Sequence, residues 1–153
     1  MSFNYEKIQN YSPAIIRFAL GVIFFAHGSQ KLLGWFGGFG FDATLQFFQQ
    51  QLGIPPALAA ISIFVEFFGG LLVLLGLFTR VSAALIAINM AVALITVHLS
   101  QGFFIAGGKV GFEYVFALIF MSLYLAINGA GELSVDRLVK DKVGSGIIGK
   151  LLS

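Results

Sequence analysis

Four long apolar runs dominate the sequence and leave little chain for any other unit. Their approximate bounds are 13–33, 56–78, 81–99 and 112–130. Each run approaches the roughly 20 residues that a helix needs to cross the hydrocarbon core of a bilayer. Only 10% of the residues are charged, whereas soluble domains average about 25%. The sequence therefore predicts one all-α domain over residues 1–153. We expect it to be a polytopic four-helix bundle that lies in the lipid bilayer.

The distribution of Lys and Arg predicts the orientation of this bundle. With four spans, both termini and the turn at Arg80 share one side of the membrane, and that side holds all the basic residues except Lys31 and Lys109. Because Lys and Arg concentrate in cytoplasmic segments, we expect both termini to be cytoplasmic, in a cell inner membrane. The net charge of +2 then reflects topology rather than nucleic-acid binding. The segment from about residue 142 onward contains several glycines, and we expect it to be a mobile tail.

A short amphipathic helix is expected between the first two spans, over residues 43–52. Asp42 is a suitable N-cap, and Gly53 is a suitable end. We expect this helix to lie on the outer surface, where it either covers the bundle as a lid or only anchors the hairpin. Its apolar stripe is formed by Leu45, Phe48 and Leu52.

Glu66 lies in the middle of the second apolar run. A charge at the bilayer centre costs about 2.5–3.5 kcal/mol even on the lenient insertion scale, so this carboxylate should turn inward and pair. His27, Gln30 and Lys31 have the spacing of one helical face. If that face points inward, His27 and Lys31 are the natural partners of Glu66, and such a pair keeps the carboxylate ionised. The alternative is a purely structural polar cluster that fixes helix register.

The remaining polar groups of the apolar runs extend this candidate site. His98, Glu113 and Tyr114 fall near the outer ends of the third and fourth runs. The ionisable groups thus gather in the outer half, whereas Arg17 and Arg80 lie near the inner boundary and are interpreted as structural charges. We therefore predict Glu66 and His27 as catalytic residues. The predicted ligand-binding residues are Lys31, Gln30, His98, Glu113 and Tyr114.

The same residues include possible metal ligands. The side chains of His27, His98, Glu66 and Glu113 are ligand types that zinc or iron accepts. They come from four different runs without paired-ligand spacing, so we predict no metal site, and a bis-histidine haem is disfavoured because the two imidazoles differ in depth. The chain also has no cysteine, which excludes thiol chemistry and cysteine-ligated iron–sulfur clusters from its own residues.

Several motifs resemble the DoxX family of small four-span membrane proteins, and the resemblance extends over residues 13–138. The motifs are RFALG at 17–21, HGSQKLLGWFGG at 27–38, VEFFGG at 65–70, LGLFTR at 75–80, His98 before GFF, and FEY at 112–114. The positions that match the family pattern include Arg17, His27, Lys31, Glu66, Arg80, His98 and Glu113.

This resemblance implies a membrane protein of the kind often labelled an oxidoreductase, with links to quinone chemistry and no settled catalytic mechanism. One hypothesis is thus a redox component that holds a quinone-like ligand in the outer half of the bundle. There Glu66 would hold or exchange a proton, His27 would hydrogen-bond a carbonyl oxygen, and Lys31 would set the local potential. Electrons would come from a bound cofactor or a redox partner subunit.

Two further functions remain open from the sequence. A non-catalytic membrane scaffold or assembly factor would use the polar cluster only for structure. A small proton-linked carrier would use the buried carboxylate for transport. Because four spans are few for a transporter, the carrier function favours a homo-oligomer.

Overall fold

The computed structural model describes the backbone of residues 5–143 and the side chains of residues 10–140. The predicted mobile tail, from about residue 142, lies almost entirely outside these ranges. Within them the chain is helical and forms an antiparallel bundle, which confirms the all-α prediction. The helices are α1 (Tyr5–Leu33), α2 (Phe41–Leu52), α3 (Pro56–Leu75), α4 (Thr79–Gln101), α5 (Glu113–Asn128) and α6 (Val135–Val143).

Three stretches of the described chain are long and apolar enough to cross a membrane: Asn10–Leu33, Pro56–Leu75 and Thr79–Gln101. The fourth apolar helix, α5, has 16 residues and is roughly 24 Å long at 1.5 Å per residue. It is shorter than the predicted run 112–130, because Gly129 leaves the helix with a φ of 77°. The predicted second span also ends early, where Gly76 adopts a φ of 70°.

The four apolar helices pack in chain order. α1 and α3 form the most extensive interface, α4 packs against both α3 and α5, and α5 contacts α1. One end of the bundle carries α2 and the loop 102–112, and we call it the loop end. The opposite end carries the α3–α4 turn and α6, and we call it the terminal end. The buried core includes Leu20, Phe24, Val73, Ile86, Met90, Val115, Leu118 and Leu125.

Glycines let α1 and α3 approach to backbone contact. A Cβ atom added to Gly28 would lie 2.4 Å from the backbone of Phe67, and one added to Gly70 would lie 2.4 Å from the backbone nitrogen of Phe25. Since lipid supplies no hydrophobic drive between helices, close packing of small residues is a main source of association. On α4, the small side chains of Ala83 and Ala87 are likewise buried inside the bundle.

The terminal end is closed by polar groups that bind helix termini. Both carboxylate oxygens of the buried Asp136 on α6 accept hydrogen bonds, from the backbone N–H of Phe78 at 2.7 Å and of Thr79 at 2.9 Å. They satisfy two donors at the start of α4 that have no partner within the helix. Arg80 donates to the carbonyl oxygens of Ala126 and Ile127 at the end of α5.

Arg17 also belongs to this terminal cluster. Its guanidinium is buried, donates to the carbonyl oxygen of Leu133 and lies against Gly76. The electrostatic interaction with Asp136 offsets part of the cost of burying this charge. Arg17 and Arg80 therefore connect α1 and α4 to the chain at and beyond the end of α5.

The amphipathic helix α2 is present, but its start differs from the prediction. Gly40 is the N-cap, with a φ of 79°, and Asp42 is an exposed residue of the first turn that caps nothing. The sequence interpretation of Asp42 as the cap was wrong because the helix begins two residues earlier than predicted, at Phe41, where Gly40 permits the turn. The predicted stripe of Leu45, Phe48 and Leu52 is less exposed than the glutamines of α2.

Removing the Asp136 cap should destabilise the fold. We expect Asp136→Ala to lower the free energy of unfolding by about 1–2 kcal/mol, since it removes two hydrogen bonds from the first turn of α4. Thermal unfolding in detergent measures the effect. Asp42→Ala is the matched control and should leave the melting temperature unchanged. Equal effects of the two changes would contradict the assigned cap.

The glycine contact between α1 and α3 makes a second prediction. Gly28→Ala places a methyl group against the backbone of Phe67, so we expect a loss of about 1–3 kcal/mol from overpacking. Gly69→Ala is the control, because the nearest atoms to its added Cβ would be side-chain atoms of Ile86 at 3.3 Å, and the nearest backbone atom, the carbonyl oxygen of Ser82, would lie at 3.9 Å. Unfolding by a denaturing detergent compares the two variants. A Gly28→Ala protein as stable as the control would rule out the close approach.

Candidate functional site

Glu66 is placed inside the bundle by an irregular turn of α3. Residues Val65–Gly69 form a π-helical turn, and Glu66 is its second residue. The residue is only 3% exposed. Single π turns within α-helices are rare and occur frequently at functional sites. The carboxylate thus avoids lipid by turning inward, as the cost of a charge in hydrocarbon predicts.

Lys31 supplies the counter-charge from the last turn of α1. Its Nζ atom lies 2.6 Å from Oε1 and 2.5 Å from Oε2 of Glu66. Asn89 on α4 donates a further hydrogen bond to Oε1 at 3.2 Å. The pairing of Lys31 with Glu66 is confirmed. Residues of α1, α3 and α4 thus meet at the Glu66 carboxylate. We call the ion pair of Lys31 with Glu66 the Lys31–Glu66 pair.

Asn89 is the member of this cluster that sequence reasoning did not assign to the site. An asparagine within an apolar run favours a hydrogen bond between helices, and the side chain of Asn89 makes that bond to Glu66. Asn128, by contrast, donates to the carbonyl oxygen of Tyr124 on its own helix. Depth could have separated the two residues, because Asn89 lies well inside α4 whereas Asn128 is the last residue of α5.

The Lys31–Glu66 pair has an aromatic neighbour on α2. The ammonium of Lys31 lies 5.9 Å from the centroid of the Phe48 ring, within the range of a cation–π contact. Phe41 of α2 packs against Phe64 of α3, with centroids 5.8 Å apart. α2 therefore contacts the candidate site directly through Phe48 and is more than a surface anchor.

His27 does not contact Glu66 as the sequence interpretation expected. Its side chain is exposed, and the described residues make no hydrogen bond or ion pair with it. The expected contact was wrong because residue 27 lies where no neighbouring helix covers α1, whereas Lys31 is long enough to reach α3. Gln30 donates to the carbonyl oxygen of Phe36 at 3.3 Å and so braces the connection to α2.

His98 and Glu113 hold the loop 102–112. Nδ1 of His98 lies 2.7 Å from the carbonyl oxygen of Val110, and Oε1 of Glu113 accepts a hydrogen bond from the backbone N–H of Ile105 at 2.8 Å. Neither side chain makes a hydrogen bond to the Lys31–Glu66 pair. The neighbouring Tyr114 is exposed. Any role of these three residues in ligand binding stays a prediction.

A metal centre is not assembled by these groups. Within residues 10–140, no three His, Cys, Asp or Glu side chains lie close enough to hold an ion. A polar cavity of about 160 Å³ does lie at the terminal end. Its carboxylates, Glu132 and Asp136, are engaged by Arg137 and by the start of α4. The cavity is thus separate from the Lys31–Glu66 pair.

The fold and this pair define a class: a small multi-pass helical membrane protein with a buried ion pair between its first two spans. The sequence profile of the DoxX family matches residues 12–99. This range contains the Lys31–Glu66 pair and Asn89. The chain belongs to the DoxX family.

Several relatives align along most of their lengths. A Bacillus subtilis protein named "Putative oxidoreductase CatD" is 36% identical over 82% of this chain and 84% of its own. The Escherichia coli inner membrane protein YqjF is 29% identical over 90% of this chain and 98% of its own. The Escherichia coli inner membrane protein YphA is 34% identical over 80% and 86%. No solved structure matches the chain.

The contacts of Glu113 make a prediction about the loop end. Glu113→Ala should free the amide of Ile105, since the carboxylate is the acceptor of its hydrogen bond. Hydrogen exchange followed by mass spectrometry should show faster exchange in the loop 102–112. Exchange in the Val65–Gly69 turn should be unchanged. Glu132→Ala, at the terminal end, is the control, and faster exchange of the loop in that variant would contradict the assigned contact.

Proposed function

We propose that this DoxX protein is a membrane redox component that holds a quinone-like head group against the Lys31–Glu66 pair. The observation that carries the proposal is a buried carboxylate, 3% exposed, whose counter-ion is partly accessible: the Lys31 side chain is 28% exposed. A ligand can therefore reach the ammonium without dismantling the bundle. The relative named as an oxidoreductase supports the same class of activity.

The residues divide the chemistry as follows. Lys31 donates to a carbonyl oxygen of the ligand and stabilises negative charge that develops there on reduction. Glu66 holds a proton-accepting position beside it. His27, four residues before Lys31 on the same face of α1, is the second hydrogen-bonding group. The Phe48 ring offers a flat apolar wall next to the ammonium.

The electrons come from another redox-active molecule. Conversion of a quinone to a quinol takes up two electrons and two protons, and the chain has no cysteine to act as a thiol donor. We therefore propose a redox partner subunit or a bound cofactor as the reductant. We also propose that both termini are cytoplasmic in a cell inner membrane, so that the Lys31–Glu66 pair lies towards the outer leaflet. The excess of Lys and Arg near the termini supports this orientation.

Ligand binding tests the proposal. Purified protein in detergent is titrated with short-chain ubiquinone and menaquinone analogues, with intrinsic fluorescence as the readout. We expect saturable binding to the wild-type protein and at least about a tenfold weaker affinity, or 1.4 kcal/mol, in Glu66→Gln and in His27→Ala. Glu132→Gln is the matched control at the terminal end and should bind normally.

Two outcomes would contradict this function. If Glu66→Gln and His27→Ala bind the analogues as the wild type does but unfold at lower temperature, the cluster is structural. If no analogue binds and the protein in liposomes instead catalyses proton-coupled uptake that Glu66→Gln abolishes, the protein is a carrier. Both experiments use the full chain.

A further inference from the structure

The two oxygen atoms of the Glu66 carboxylate have different hydrogen-bond partners. Oε1 accepts from the ammonium of Lys31 at 2.6 Å and from the side-chain amide of Asn89 at 3.2 Å. Oε2 accepts from Lys31, at 2.5 Å, and from no other group of the described residues. An ionised carboxylate has about four lone-pair positions, two on each oxygen. The positions on Oε1 are therefore filled, whereas one position on Oε2 is open.

Charge determines which end of the Asn89 amide faces Glu66. An asparagine side chain can present its NH₂ group or its carbonyl oxygen, and only the NH₂ group is attracted by a negative carboxylate. Nδ2 is accordingly the atom that lies 3.2 Å from Oε1. A hydrogen bond to an ionised acceptor is stronger than one between neutral groups. Asn89 therefore stabilises the carboxylate and does so at one oxygen only.

The position of Asn89 is more fixed than that of Lys31. Asn89 is a short side chain on α4, close in sequence to the core residues Ile86 and Met90, which are 0% and 7% exposed. The ammonium of Lys31 ends a flexible four-carbon stem, and its side chain is 28% exposed. Of the two donors, Asn89 is thus the one that can hold the carboxylate in a single orientation.

The π-helical turn of α3 brings the carboxylate to this donor. Glu66 and Gly69 belong to the same turn, Val65–Gly69. A Cβ atom added to Gly69 would lie 3.3 Å from the side chain of Ile86 on α4. The turn therefore packs closely on α4 at Ile86, and the side chain of Asn89 reaches Glu66 across the same interface.

We propose that Asn89 is a positioning residue that confines the exchangeable proton of Glu66 to Oε2. A proton on Oε1 would displace the N–H of Asn89 or of Lys31 from its lone pair, so it would cost a hydrogen bond. A proton on Oε2 takes the open position and displaces neither donor. The inference rests on the proposed function, in which Glu66 exchanges a proton, and it adds the atom that carries the proton.

The protonated state then has a defined structure. When a proton arrives from water or from a ligand hydroxyl, an O–H bond forms at Oε2 and the O–H bond of the donor breaks. The negative charge passes from Glu66 to the donor, and no electron changes its owner in this step. Oε1 becomes the carbonyl oxygen of the acid and keeps the hydrogen bond from Asn89. The proton is held next to Lys31, the group proposed to contact the ligand.

Infrared difference spectroscopy tests this assignment without a ligand. The full chain in phosphatidylcholine bilayers is compared at neutral and acidic pH, and the carbonyl stretching band of protonated Glu66 is identified by its loss in Glu66→Gln. A hydrogen bond to a carbonyl oxygen lowers its stretching frequency. Asn89→Leu removes the donor. Asn128→Leu is the matched control, because the amide of Asn128 donates within its own helix.

We expect the Glu66 band of Asn89→Leu to move to higher wavenumber and to broaden. Its carbonyl oxygen loses a donor, and the proton can then occupy either oxygen. The band of Asn128→Leu should stay at the wild-type position. An unshifted band in Asn89→Leu, even with a lower melting temperature, would overturn the inference and leave Asn89 as a contact that only packs the helices. An equal shift in the control, or no band that depends on Glu66, would also overturn it.

A conservative variant separates the hydrogen bond from the packing of the side chain. Asn89→Gln keeps an amide donor, so its Glu66 band should lie closer to the wild-type position than that of Asn89→Leu. Identical bands in the two variants would contradict a role for the amide. The binding of quinone analogues is measured separately. An unshifted band with normal binding therefore refutes only the role of Asn89, and a shifted band without binding refutes only the proposed function.

Discussion

The fold depends on the neutralisation of one carboxylate inside hydrocarbon. Glu66 would be too costly on a lipid-facing surface of α3, so the helix must present it to another charged group. Lys31 provides that group from α1, at 2.5 and 2.6 Å. Because both side chains must meet at one depth, the pair determines how α1 and α3 align along their lengths. The glycines that bring the two backbones together make the contact sterically accessible.

The two ends of the bundle solve the problem of unsatisfied backbone groups differently. At the terminal end, Asp136 and Arg80 bind the free N–H and C=O groups of α4 and α5, and Arg17 joins the following segment to α1. At the loop end, Glu113 accepts a hydrogen bond from the backbone N–H of Ile105, and Nδ1 of His98 lies against the carbonyl oxygen of Val110. Side chains of α4 and α5 thus hold the loop 102–112 at this end.

Much of this arrangement follows from local sequence properties. The length of the apolar runs predicted the spans, and the cost of burying a charge predicted that Glu66 would pair with Lys31. Contacts made by residues outside the apolar runs were beyond such reasoning. Asp136 caps a helix that begins 57 residues earlier in the chain, so no local pattern marks it. The spacing of His27 and Lys31 put both on one face of α1, but the exposure of His27 depends on which neighbouring helices cover that face, which periodicity does not encode.

A double-mutant cycle on the Lys31–Glu66 pair tests the central claim most directly. Unfolding free energies are measured for the wild type, Lys31→Met, Glu66→Gln and the double variant in a denaturing detergent. Because Lys31→Met leaves a buried carboxylate without its counter-charge, it should lose about 3–5 kcal/mol. The double variant should recover part of this loss, with a coupling energy above about 1 kcal/mol. Additive effects of the two changes would contradict the account, since the pair would then not organise the bundle.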